Sequence, residues 1–160
     1  MEIDKFTTPR AAAALIQDGD TVALIGGGGG LVEATCMHAA IEERFLQTSQ
    51  PRNLTVIHSL GIGDRGARGM NRFAHEGLVK RVIGGHWVWS PRMQQLAADE
   101  KNEAYVLPGG VAMQLFREIG AGRPGLLTHV GLGTFVDPRQ DGGRMNQSAK
   151  DALVEVSEIG

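Results

Sequence analysis

The sequence predicts an α/β fold built on an open, mostly parallel sheet with helices on both faces. Three observations carry that expectation. Short apolar runs rich in β-branched residues alternate with longer segments of helical pattern. The connections between them are short, as in parallel sheets whose crossovers are helices. The 23 glycines among 160 residues gather at the ends of the apolar runs, where a chain turns tightly or approaches a ligand closely.

Each element follows in order. Thr8-Pro9 is a helix start, a capping hydroxyl followed by proline at the first helical position, and the helix runs through Ala11–Ala14 to about Gln17. Asp18-Gly19-Asp20 stops it, and Thr21–Ile25 reads as a buried strand. Five glycines, Gly26 to Gly30, come next. A second helix is expected from about Val32 to Thr48, with Val32, Cys36, Ala39, Ala40 and Ile41 facing inward. Pro51 closes it, and Leu54–Ser59 is the second strand. A glycine- and arginine-rich loop spans Gly61 to Arg72, and a strand around Val79–Ile83 ends at Gly84-Gly85. Pro91 to Asp99 reads as a helix, Glu103–Leu107 as a strand, and Val111 to Ile119 as a helix with Gly120 past its end. The last forty residues are less regular, and Leu153–Val156 is expected to form one more strand. The whole of 1–160 is read as a single domain.

Composition narrows the class of function. With 16 Lys+Arg against 18 Asp+Glu the net charge is −2, which argues against a nucleic-acid or membrane-surface binder. One cysteine, Cys36, excludes an internal disulfide framework, and no Cys/His spacing resembles a zinc site. No apolar run approaches the ~20 residues of a membrane span, and the start MEIDKFTTPR is no signal peptide. A cytoplasmic globular domain is the expectation.

Strand, glycine loop and helix together present backbone N–H groups to an anion. Two nucleotide-binding versions fail on spacing. Leu31-Val32-Glu33 stands where a P-loop needs Lys-Ser/Thr, and the third glycine of the dinucleotide fingerprint is replaced by Leu31 or Val32. Two readings remain open. Gly27, Gly28, Gly29 and Gly30 form a bare wall for a substrate carbonyl, acyl group or pantetheine arm, with N–H donors for an oxyanion, or they only make a tight turn.

Of five histidines, His38 falls inside a helix and reads as packed or solvated rather than catalytic, and His75-Glu76 lacks the second histidine of a zincin. His86, after Gly84-Gly85 at a strand end, is a candidate pocket-rim residue. Cys36 reads as a small hydrophobe on an apolar helix face. Arg65, Arg68, Arg72, Lys80 and Arg81 either meet an acidic cofactor or form a solvated face. No G-x-S-x-G elbow is present.

Several stretches together resemble the family I coenzyme A transferases of the acetate/propionate/3-oxoacid type. They are Asp18-Gly19-Asp20-Thr21-Val22, Glu42-Glu43-Arg44-Phe45-Leu46, Pro51-Arg52-Asn53-Leu54-Thr55, FAHEGLVKRVIGGHW (73–87) and VGLGTFVDPRQDGGRMN (130–146). The resemblance implies two related α/β domains, of which this chain is the N-terminal part of the first, incomplete at its C-terminus. It implies transfer of CoA from an acyl-CoA to a small carboxylate through a glutamyl-CoA thioester. No cofactor is expected to be tightly bound, CoA entering as acyl-CoA substrate. The glycine loop would lie by the acyl and pantetheine site. The family's nucleophilic glutamate belongs to a Glu-Asn-Gly-type motif in a second domain, and no Glu-Asn-Gly occurs here. No catalytic residue is therefore assigned in this chain, and the substrate-side residues are Gly27, Gly28, Gly29, Gly30 and His86. Glu33, expected in the first turn of the second helix, and Glu76 are not taken as substitutes for the nucleophile. The loop departs from the family pattern at Gly28 and at Leu31-Val32-Glu33-Ala34. The missing portion or a partner subunit, and self-association, complete the expected partners. The alternative is a non-catalytic acyl-CoA or carboxylate-binding or assembly subunit.

Overall fold

A computed structural model describes residues 6–158. The elements, in order, are α1 (Pro9–Ala13), β1 (Thr21–Leu24), α2 (Thr35–Thr48), β2 (Leu54–His58), a 3₁₀ turn (Met70–Phe73), β3 (Val79–Gly84), α3 (Pro91–Ala98), β4 (Glu103–Val106) and α4 (Gly109–Gly120). The four strands form one sheet in the order β1-β2-β3-β4, and every neighbouring pair is parallel. The expected parallel α/β architecture is therefore the one observed.

Register assigns the faces. Val22, Val56, Val82 and Ala104 pair across the sheet, as do Ala23, Ile57, Ile83 and Tyr105 on the other face. The first face meets Ala13 of α1, Ile41 of α2, Met93 and Ala97 of α3, and Met70 and Phe73 of the 3₁₀ turn in one apolar core. On the other face Tyr105 is covered by the C-terminal segment. Its hydroxyl donates to the Asp151 carbonyl at 3.2 Å and accepts the Asp151 N–H at 3.0 Å, while Arg81 pairs with both Glu103 and Asp151.

The ends of the elements show where local chemistry decides. Thr8 caps α1 as its sequence suggests, accepting the Ala11 N–H at 3.1 Å, but the helix stops at Ala13 rather than near Gln17. Asp20 Oδ2 instead takes the Gln17 N–H at 2.7 Å and holds a turn. α2 begins at Thr35, three residues later than expected. Val32 sits in the left-handed region at φ 54° and is 86% exposed, so it belongs to the loop. Cys36 is exposed rather than packed inward; the buried residues of α2 are His38 and Ile41.

Leu153–Val156 forms no strand. The outer edge of β4 is already taken by the preceding segment. Val106 N–H donates to the Gly143 carbonyl at 2.8 Å, and Met145 N–H to the Ala104 carbonyl at 2.8 Å. Asn146 completes this cover with four hydrogen bonds. It accepts the N–H groups of Ala104 and Ala149, and donates to the carbonyls of Ala97 and Asn102. A sheet edge so occupied has no free ladder for another strand.

Candidate active site

Because all four strands are parallel, the loops after β1, β2, β3 and β4 leave the same edge of the sheet, and each carries glycine. The backbone packing there explains the residue type. A Cβ at Gly109 would lie 2.9 Å from the Ser59 carbonyl oxygen, and one at Gly85 would overlap that same oxygen and lie 3.1 Å from the Gly109 Cα. The strand ends are drawn together backbone against backbone.

The first loop turns through three successive left-handed residues, Gly28, Gly29 and Gly30, at φ 78°, 63° and 82°. Side-chain-bearing residues adopt this conformation at a cost, so glycine is required there. Gly27 N–H donates to the Leu31 carbonyl at 2.7 Å, so this donor is spent on closing the loop. The N–H groups of Gly28, Gly29 and Gly30 have no acceptor among the described residues. The wall is not bare, however. The indole of Trp89 packs on it, 3.2 Å (Nε1) from a Cβ placed on Gly28 and 3.7–3.9 Å from one placed on Gly29.

A second loop backs the first. Glu33 stands just before α2, not within its first turn, and its Oε1 accepts the buried Gly63 N–H at 2.7 Å. The other oxygen, Oε2, is buried without a hydrogen-bond partner. Its side chain passes between Gly26 and Gly69, where Cβ atoms would approach it to 2.8 and 2.7 Å. Glu33 is thus the tie between two loops. Trp89 is fixed by its backbone: its carbonyl accepts the Arg65 N–H at 2.9 Å and Asn71 Nδ2 at 3.1 Å.

His86 is exposed at the end of β3, where its Nδ1 would lie 2.5 Å from a Cβ on Gly61. The structure therefore brings Gly28–Gly30, Gly61, His86 and Trp89 to one place. His58, on β2, donates from Nδ1 to the Leu60 carbonyl at 2.6 Å and holds the start of the second loop. Burial lowers its pKa to about 4, with nearby His86 adding to the effect and the Leu60 hydrogen bond opposing it. His38 packs edge-on against Phe73, and burial, then the Arg72 charge, lowers its pKa to about 4. Both are neutral at pH 7.

The cationic run disperses. Arg72 pairs with Glu42, Arg81 with Glu103 and Asp151, Lys80 with Glu103 at 3.6 Å, and Arg68 with Asp64 at 3.8 Å. Arg65 alone of these five has no acidic partner among the described residues; its guanidinium lies over the Trp89 ring, 4.9 Å from the centroid. Glu76 is remote, paired with Lys101 at 3.3 Å beside a shallow polar cleft at the opposite edge of the sheet. That cleft lacks the glycine loops, its Lys80 is paired with Glu103, and its Glu100 accepts the N–H groups of Gln147 and Ser148, so the glycine edge is the better site. Glu33, Arg65 and Trp89 were not distinguishable by sequence. Their partners lie 30, 24 and 61 positions away, and no local motif marks them.

A parallel sheet with helices packed on it, whose strand-end loops are rich in glycine and leave the Gly28–Gly30 N–H groups without acceptors among the described residues, defines the class as an α/β domain with its candidate site at the carboxyl ends of the strands. Comparison makes this specific: the coenzyme A transferase family model matches residues 6–159, and the chain belongs to that family. The chain is 44% identical over 148 residues to acetate CoA-transferase YdiF of Escherichia coli K12, covering 92% of this chain and 28% of that protein. It is 44% identical over 156 residues to caffeate CoA-transferase of Acetobacterium woodii, covering 97% and 29%. The crystal structure of the acyl-CoA transferase YdiF from E. coli O157:H7, a thioester complex with CoA, superposes with a TM-score of 0.92 at 42% identity, covering 96% of this chain and 30% of that one. The chain thus spans less than a third of the length of these relatives. Among the described residues, no helix is long and apolar enough to cross a membrane, and no cluster of His, Cys, Asp and Glu is placed to hold a metal.

Proposed function

We propose that this chain supplies the glycine-lined acyl side of a CoA transferase that moves CoA from an acyl-CoA to a short-chain carboxylate, with the nucleophilic glutamate on polypeptide outside these 160 residues. The observation that carries the reading is the row of three N–H groups at Gly28–Gly30 that have no acceptor among the described residues. Of the two carboxylates beside the loop, Glu33 is committed to the Gly63 N–H, and Asp64, which lies against Gly30, to the N–H groups of Gly66 and Arg68.

The chemistry sets the requirements. A glutamate carboxylate attacks the thioester carbonyl, and the carbonyl π electrons move to oxygen to form a tetrahedral oxyanion. Collapse expels CoA thiolate and leaves an acyl-glutamyl anhydride. The thiolate then attacks the glutamyl carbonyl, releasing the donor acid and forming glutamyl-CoA thioester. The acceptor carboxylate reverses the sequence. Backbone N–H groups fixed beside the reacting carbonyl stabilise each oxyanion without reorganising, and removing one such donor typically costs about 10²–10³ in rate. Gly28, Gly29 and Gly30 are the donors here, with His86 at the rim. Coenzyme A is a substrate in this scheme, and the chain needs no resident cofactor. As one domain of a larger enzyme or assembly, it depends on the glutamate-bearing portion for turnover.

The test is turnover of acetyl-CoA with propionate by the 160-residue chain alone and by a protein that joins it to a glutamate-bearing portion. Activity only in the second supports the proposal; activity of the chain alone overturns it.

A further inference from the structure

Resting on that reading, we propose that Arg65, steadied on Trp89, is the specificity residue that captures the carboxylate of the acceptor acid, and that the indole receives its apolar body. Four observations converge. Arg65 is exposed and has no acidic partner among the described residues, although the neighbouring cations do. Its loop is charge-balanced apart from it: Asp64, whose carboxyl is held low chiefly by the N–H groups of Arg68 and Gly66, lies 3.8 Å from the Arg68 guanidinium and offsets it. Arg65 is therefore the uncompensated cation of the site.

Its position is also fixed rather than swinging. The backbone takes the left-handed conformation at φ 62°, its N–H is bonded to the Trp89 carbonyl at 2.9 Å, and its guanidinium lies over the indole. A non-glycine residue held in that region marks a constraint imposed by its surroundings. Stacking on an aromatic face leaves the in-plane N–H fork of a guanidinium free to bind a carboxylate in two-point fashion. Finally, the indole that carries the cation is the one packed on Gly28 and Gly29, so cation, apolar face and oxyanion donors adjoin.

Distance decides which anion is captured. The phosphates of an acyl-CoA are separated from its thioester by the whole pantetheine arm. A cation adjoining the oxyanion donors is placed for the reacting carboxylate instead. The ligand class is a monocarboxylic acid with a short apolar or planar tail; a second carboxylate on the tail would leave one charge against the indole without a partner.

The experiment uses the protein that contains this chain together with its glutamate-bearing portion, and three variants: Arg65→Gln, Arg65→Lys and Trp89→Phe. The acid is propionate, titrated while the Trp89 indole N–H resonance is followed by NMR, and steady-state constants are measured for propionate and acetyl-CoA. Arg65→Gln is expected to raise the KM for propionate about 10- to 100-fold, the range of a lost charge-assisted contact. The KM for acetyl-CoA and the yield of glutamyl-CoA thioester in the half-reaction should stay within about twofold. Arg65→Lys recovers part of the loss, keeping the charge without the planar fork. Trp89→Phe shifts preference toward bulkier acids. An unchanged KM for propionate, or an equal rise for both substrates, overturns the inference. The titration is independent of turnover. Binding lost in Arg65→Gln, in a protein that forms no thioester, would retain the anchor and refute the transferase reading.

Discussion

Acidification acts on this fold through two buried histidines, which titrate where few other groups do. His38 and His58 are both 1% exposed, and burial lowers each pKa from 6.5 to about 4. The unfolded chain takes up these protons near pH 6.5, while the native protein resists them until about pH 4. Each histidine therefore contributes stability that is fully present above pH 6.5 and lost as pH falls through that window toward 4. At pH 5 the loss is about 2 kcal/mol per histidine, and about 4 kcal/mol for the pair, against a typical total of 5–15 kcal/mol. Urea unfolding at pH 7.5 and at pH 5 measures it. His38→Leu is the decisive variant, because His38 Nδ1 is buried without a hydrogen-bond partner and the ring packs edge-on against Phe73, a place an apolar side chain can fill. Replacing it should halve the loss between the two pH values. An acid sensitivity unchanged in His38→Leu would refute the burial argument.

Other predictions follow from single contacts. Glu33→Gln retains an acceptor for the Gly63 N–H but loses the charge, at about 1 kcal/mol, whereas Glu33→Ala leaves that buried N–H bare, at about 1–3 kcal/mol. Urea unfolding should rank them in that order, and glutamyl-CoA thioester should still form in the Gln variant of the assembled enzyme if Glu33 only ties the two loops. Gly29→Val imposes φ 63° on a β-branched side chain and brings it against Trp89. Transfer by the assembled enzyme should fall at least about tenfold, read as kcat/KM, if the loop donors act on the oxyanion. Asn146→Ala removes four hydrogen bonds from the cover on β4. It should cost about 2–4 kcal/mol, seen as a fall in Tm of at least about 4 °C at this chain length.

The strands were legible because each is a compact apolar, partly β-branched run: TVAL, LTVIH, VKRVI and EAYV were all anticipated, and all pair in parallel. Ends of elements were less so. Leu31-Val32 reads as the start of a helix by hydrophobicity, yet the loop must close through Gly27 and Leu31 before α2 can begin. Leu153–Val156 has strand-like composition, but a strand needs a vacant edge, and residues 143–146 occupy it. The glycine loop was visible as a feature; what it meets was not. Trp89 is far from Gly28 in sequence, and only the fold places its indole on the glycines. Cys36 shows the same limit from the other side: its apolar neighbours suggested a packed face, and of that face Ile41 is buried as expected, while the rotation of α2 turns Cys36 outward and buries His38.

The central claim is that this chain lends donors and a substrate wall but no nucleophile. Intact mass of the purified 160-residue chain, measured before and after incubation with acetyl-CoA with circular dichroism to establish folding, tests it most directly. The expected result is a folded protein that keeps its 17.1 kDa mass. A covalent CoA adduct would contradict it, because a carboxylate within these residues would then be performing the attack.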